Sequence, residues 1–96
     1  MKNIKVNTVN IDGKKTSTTI NRNIATHFAL ISMTDDEKQK LRSFPEDDVK
    51  GYNDFNNYIL TKYAQNLVNE KLKTSRWVDK FMIESHILWE LRDYKY

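Results

Sequence analysis

Ninety-six residues make one small domain and leave no room for a multidomain, cofactor-bearing enzyme. The chain has no cysteine, which excludes disulfide scaffolds, thiolate zinc sites and a cysteine nucleophile; its two histidines, His27 and His86, are too few for a His-rich metal site. The net charge of +3 is uneven: residues 1–26 carry +4, residues 27–56 carry −3 and residues 57–96 carry +2. A basic N-terminal arm favours nucleic acid or an anionic surface, although lysines also blunt the edges of sheets. No apolar run reaches the ~18–20 residues of a membrane span, and the N-terminus lacks the apolar stretch of a leader. The expectation is a soluble, cytoplasmic protein with no membrane partner.

Residues 4–11 (IKVNTVNI) alternate apolar and polar with one slip of phase, Ile4 and Val6 giving way to Val9 and Ile11. Asp12-Gly13 is a turn dipeptide, because glycine takes positive φ freely. Residues 14–20 (KKTSTTI) are rich in threonine, a β-branched strand former. Lys15, Ser17 and Thr19 share one face of that strand, and Thr16, Thr18 and Ile20 share the other. Two arrangements fit: a hairpin within the chain about Asp12-Gly13, or a flexible arm and one strand that pairs with another chain.

Asn21 is placed to cap a helix over 22–32, in which Ile24, Phe28 and Ile31 recur at helical spacing. Thr34-Asp35-Asp36-Glu37 is a capping box, with Thr34 as N-cap and Glu37 at N3, opening a short helix to about Arg42. Phe44-Pro45 ends it, and residues 45–54 read as an acidic, solvated loop. A third helix follows, capped by Asp54. Phe55, Ile59, Tyr63 and Leu67 are spaced by four on its apolar stripe, with Tyr58, Leu60, Ala64 and Val68 alongside. A fourth runs from Thr74 or Ser75 to about Asp93. At ~100° per residue from Arg76, its core face holds Trp77, Val78, Phe81, Ser85, Leu88 and Trp89. Ile83 and Ile87 fall among the charges on the opposite side. Either the N-terminal strands or the acidic loop cover them, or they form a subunit interface. The fold class is α+β, mostly helical: a short β element followed by about four helices in a single domain, with 1–20 as the β arm and 21–96 as the helical part.

Residues 9–28, VNIDGKKTSTTINRNIATHF, resemble the opening of ribbon–helix–helix DNA-binding proteins. Gly13 and two basic residues, Lys14 and Lys15, lead into a Thr-Ser strand, and Ile20, Ile24 and Phe28 stand at apolar positions of the pattern. The resemblance covers about twenty residues. It implies a homodimer in which one strand from each chain pairs antiparallel and the ribbon enters the DNA major groove. Lys15, Ser17 and Thr19 would then read bases, and Thr16, Thr18 and Ile20 would face the dimer interior, a row poor in apolar groups. Lys2, Lys5, Lys14 and Arg22 would supply phosphate contacts. The pattern departs at the next helix start, where Asp35, Asp36 and Glu37 would repel the phosphate that the family binds there; Thr74-Ser75-Arg76 suits a phosphate better but comes about forty residues later.

Nothing points to catalysis, a metal or a cofactor. There is no phosphate loop, HExxH or nucleophile elbow. Glu46, Asp47 and Asp48 lack the spacing of a calcium loop. His27 reads as a boundary residue and His86 as a surface ion pair with Asp79, Glu90 or Asp93. Tyr58 and Tyr63 read as core, and Tyr94 and Tyr96 as terminal aromatics that allow base stacking. The expected function is sequence-specific binding of double-stranded DNA by a small dimeric transcription regulator. The alternative is a protein-interaction module, an adaptor or inhibitor from a mobile element, using Ile83 and Ile87 or the acidic loop.

Overall fold

The computed structural model describes residues 3–92. Lys2, Asp93, Tyr94 and Tyr96 lie outside the described residues. Strands β1 (Ile4–Val9) and β2 (Lys15–Ile20) form a two-stranded antiparallel sheet within the chain. Ile4 stands opposite Ile20, and the register runs without a break to Val9 opposite Lys15. Of the two arrangements open to the sequence, the chain forms the hairpin.

The turn is built by three side-chain and backbone choices. The Gly13 N–H donates to the Asn10 carbonyl at 2.9 Å, and the Asn10 N–H donates to the Lys14 carbonyl at 2.9 Å. The Asn10 carboxamide oxygen accepts from the N–H groups of Asp12 and Lys14 at 3.0 Å each. Gly13 has φ +80°, and a Cβ there would meet nothing. Its glycine is therefore required by backbone conformation and not by space. Gly13→Val is expected to lower stability by about 1–2 kcal/mol, read as a shift in the urea midpoint, with Gly13→Asn costing less.

Helices α1 (Arg22–Ser32), α2 (Asp35–Arg42), α3 (Val49–Leu72) and α4 (Lys80–Arg92) follow. Asn21 caps α1, accepting from the N–H groups of Asn23 and Ile24. Thr34 and Glu37 form the capping box of α2. Helix α3 starts six residues before Phe55, and its N-cap is Asp48 in place of Asp54. The Asp48 carboxylate accepts from the Gly51 N–H at 3.0 Å, and a Cβ on residue 51 would lie 2.3 Å from that carboxylate. Residues 49–54 of the expected loop thus open a helix, whereas its acidic residues Glu46, Asp47 and Asp48 stay outside the helix and exposed.

Helix α4 starts later than the spacing suggests. Val78 is held in an antiparallel bridge to Val9, its N–H donating to the Val9 carbonyl at 2.9 Å. The Asp79 carboxylate then accepts from the Met82 N–H at 2.8 Å. Thr74, Ser75 and Arg76 lie before this bridge and open no helix.

The core lies between the hairpin's inner face and α1, α3 and α4. Ile4, Val6 and Ile20 meet Ala25, Phe28, Ile59, Leu60, Ala64, Val68, Val78, Ile83 and Ile87. Ile83 and Ile87 are fully buried, whereas Phe81, Leu88 and Trp89 are 77%, 54% and 62% exposed. Of the face expected to be core, Val78 is buried and Trp77 half-buried, but Phe81, Ser85, Leu88 and Trp89 are outside; the two isoleucines serve this chain's own core and form no exposed second surface. Tyr58, expected in the core, is exposed; Tyr63 is partly buried. Among the described residues no helix is long and apolar enough to cross a membrane.

Candidate nucleic-acid interface

The register determines which side chains share the outer face of the hairpin. Ile4, Val6 and Thr8 are buried, so Lys5, Asn7 and Val9 point the other way. Their partners across the pair are Thr19, Ser17 and Lys15. Lys5, Asn7, Lys15, Ser17 and Thr19 are all exposed, and Val9 is half-buried. The row expected from sequence, Lys15, Ser17 and Thr19, is thus brought together on one surface, joined by Lys5 and Asn7. No carboxylate belongs to this row.

The backbone at this face is capped at two points along one edge. The Gln65 side chain accepts from the Asn7 N–H at 2.8 Å and donates to the Asn7 carbonyl at 3.0 Å. A carboxamide on α3 therefore takes the place of a third strand beside β1, and Val78 continues that cover at Val9. Because the polar groups of Asn7 turn toward Gln65, Asn7 and Ser17 are a non-hydrogen-bonded pair. The backbone groups of Lys15, Ser17 and Thr19 accordingly point to the opposite edge, which is open among the described residues. Between hairpin and α3 runs a groove of about 750 Å³, lined by Lys5, Asn7, Lys15, Ser17, Gln65, Asn69 and Leu72.

Positive charge gathers at the turn end. Lys14 and Lys15 flank the turn, and Lys73 and Arg76 line a shallow depression with Val9 and Leu72. The opposing charges there are Asp12 at the turn, Asp79 beside the Val9–Val78 bridge and Glu70, which pairs with Lys73 at 2.9 Å. Arg22 stands at the other end of β2, about 20 Å from Lys15 at the usual strand rise. The expected phosphate contacts are therefore split between two ends of the ribbon.

Thr16, Thr18 and Ile20 occupy the inner row. Ile20 is fully buried, Thr18 half-buried and Thr16 exposed. The low apolar content of that row is explained by the fold: Ile4 and Val6 of β1 supply the core contact, and the turn end projects past α4. Thr16 and Thr18 instead line a recess of about 460 Å³ with Ile11, Trp77 and Lys80.

The start of α2 is occupied by its own chain. Glu37 accepts from the Thr34 N–H at 3.0 Å, from the Lys62 ammonium at 2.9 Å and from the Tyr63 hydroxyl. The Tyr63 hydrogen bond is the main cause that holds the Glu37 carboxyl down at about 2; partial burial opposes it, and Thr34 and Lys62 add to it. Burial and the same carboxylate push the Tyr63 hydroxyl up. This arrangement ties α2 to α3 and sets the Glu37 carboxylate, with Asp35 and Asp36, at the helix start, where they oppose a phosphate. His86 pairs with Glu90 at 2.9 Å, as its position on the helix suggested. No His, Asp or Glu group among the described residues is arranged to hold a metal ion.

Gln65 and Asn69 had no signal in the sequence: both lie on the polar side of a helix, and only the packing of α3 along β1 gives them a role. No family model, curated protein or solved structure matches the chain.

Proposed function

We propose that the chain binds double-stranded DNA through the outer face of its hairpin, as a small sequence-specific transcription regulator. The observation that carries this reading is the exposed row Lys5, Asn7, Lys15, Ser17 and Thr19, polar or basic throughout and beside a basic turn end. A two-stranded ribbon fits the major groove. Lysine donates to guanine O6 and N7, asparagine pairs with adenine, and serine or threonine hydroxyls serve either donor or acceptor edges. Lys14 and Arg22, at the two ends of β2, contact phosphates and place the ribbon along the groove.

The ribbon of this reading differs from the one the resemblance implies. Both strands come from one chain, so each copy brings a complete reading element and no second chain is needed to build it. The test is binding to duplexes selected from a random pool, with salt varied. Lys15→Ala is expected to weaken the selected site about tenfold and relax its sequence preference. Lys14→Ala is expected to weaken all duplexes alike and to reduce the salt slope by about 1. Salt-independent binding, or unchanged affinity in both variants with unchanged melting temperatures, would overturn the reading. The protein-interaction reading is favoured by a different observation, the apolar outer face of α4.

A further inference from the structure

Helix α4 is apolar on two opposite faces. One is spent: Ile83 and Ile87 lie in the core. The other carries Phe81, Ser85 and Leu88, spaced by four and three, with Trp89 beside them. This is the spacing of a seam between two packed helices. An exposed apolar seam of this kind matches in size the largest patch on a typical protein surface, a patch that is often functional.

We infer that this face of α4 is the contact between two copies of the chain, packed antiparallel about a two-fold axis through Ser85. The inference stands on α4 and does not rest on the DNA reading.

Three features favour a second copy as the occupant. The first is area. At the exposures above, Phe81, Leu88 and Trp89 offer about 400 Å² of apolar surface, taking ~150–250 Å² for each aromatic side chain. A standard interface takes ~800 Å² from each partner, and in a homodimer about 65% of it is apolar. The seam thus supplies most of the apolar part of one interface of ordinary size.

The second feature is symmetry. In a two-fold contact residue i meets j and j meets i. Phe81 and Trp89 lie four residues either side of Ser85, so Phe81 of each copy meets Trp89 of the other, twice over. The residue on the axis meets its own copy and must be small and uncharged; that residue is Ser85, which lets the helices approach to ~8–10 Å. A parallel pairing would set Arg92 against Arg92.

The third is charge. The groups flanking the seam are already partnered within the chain, Lys80 with Glu84 at 3.9 Å and His86 with Glu90 at 2.9 Å. Arg92 stacks on the Trp89 ring at 3.9 Å and falls at the rim. Among the described residues, the charged groups beside the seam thus already have partners in their own chain, with a carboxylate of Glu84 or Glu90 in each pair.

The experiment is sedimentation equilibrium of the full chain, without DNA, up to about 100 μM. The wild type is expected to be dimeric. Ser85→Glu sets two carboxylates on the axis and is expected to raise the dissociation constant by about a hundredfold or more while keeping the melting temperature measured at concentrations where both proteins are monomeric. Ser85→Glu mixed with Ser85→Lys is expected to restore the dimer, which only a contact of residue 85 with its own copy can do. If Ser85→Glu fails to fold, Leu88→Glu, also at an exposed position, is read in its place and is expected to be monomeric. A wild type that stays monomeric overturns the inference, including one whose tryptophan emission shifts to the blue on anionic lipid vesicles, since that face would then serve a membrane. A dimer that survives Ser85→Glu and Leu88→Glu but is lost in Ser17→Pro also overturns it and places the contact at the open edge of β2.

Discussion

Ile87→Ala is expected to destabilise the protein by about 2–5 kcal/mol, and Leu88→Ala, one residue on, by less than about 0.5 kcal/mol at concentrations where the chain is monomeric. The contrast follows from which way α4 faces. Ile87 is fully buried among side chains of α1, α3 and the hairpin, so truncation removes its transfer free energy and leaves a cavity. Leu88 is 54% exposed, and its truncation opens no void. Urea unfolding followed by circular dichroism measures both. Equal losses at the two positions, or a larger loss at Leu88, would mean that α4 presents its Phe81–Leu88–Trp89 face to the core.

Glu37→Ala is expected to cost about 2–3 kcal/mol at neutral pH. It removes the capping partner of Thr34, the ion pair with Lys62 and a charge-assisted hydrogen bond from Tyr63. It also removes a pH dependence. The Glu37 carboxyl titrates at about 2 in the folded chain against 4.5 as its ordinary value. A carboxyl lowered on folding stabilises above its unfolded value and loses that contribution as the pH falls through the folded one. Wild-type stability should therefore decline between about pH 4.5 and 2, by about 1–2 kcal/mol from this group once solvent screening is allowed for. The difference in unfolding free energy between wild type and Glu37→Ala should shrink over the same interval. A constant difference down to pH 2 would show that the carboxylate contributes through shape alone.

Features set by neighbours in the chain were readable. Asn21, the Thr34–Glu37 box and the Asp12-Gly13 turn each depend on groups within four residues, and the structure has all three. The outward row of β2 was readable because a strand has a period of two once one face is buried. The slip between Val6 and Val9 was visible as well. Its cause was not: Val9 turns outward and its backbone meets Val78, a residue far along the chain.

The start of α3 and the orientation of α4 were not readable, for different reasons. Asp48 and Asp54 are equally good caps in isolation, and nothing within a few residues of either distinguishes them; the structure uses Asp48. In α4 the larger apolar stripe holds Phe81, Leu88 and Trp89, and hydrophobicity alone turns that stripe inward. Ile83 and Ile87 enter the buried cluster with Ala25, Ala29 and Ala64 instead. Which stripe of α4 turns inward depends on elements far along the chain, which no pattern within the helix encodes.

The pairing of Gln65 with the backbone of Asn7 limits how this protein can assemble when concentrated. Fibres grow by strand addition because each newly added strand exposes a fresh edge for the next. Here the Asn7 N–H and carbonyl are taken up by a carboxamide and the Val9 carbonyl by Val78, so the middle and turn end of β1 offer no groups to an added strand, whereas the edge of β2 does. Gln65, a residue with no part in the core, thus acts as a blocking group on a sheet edge.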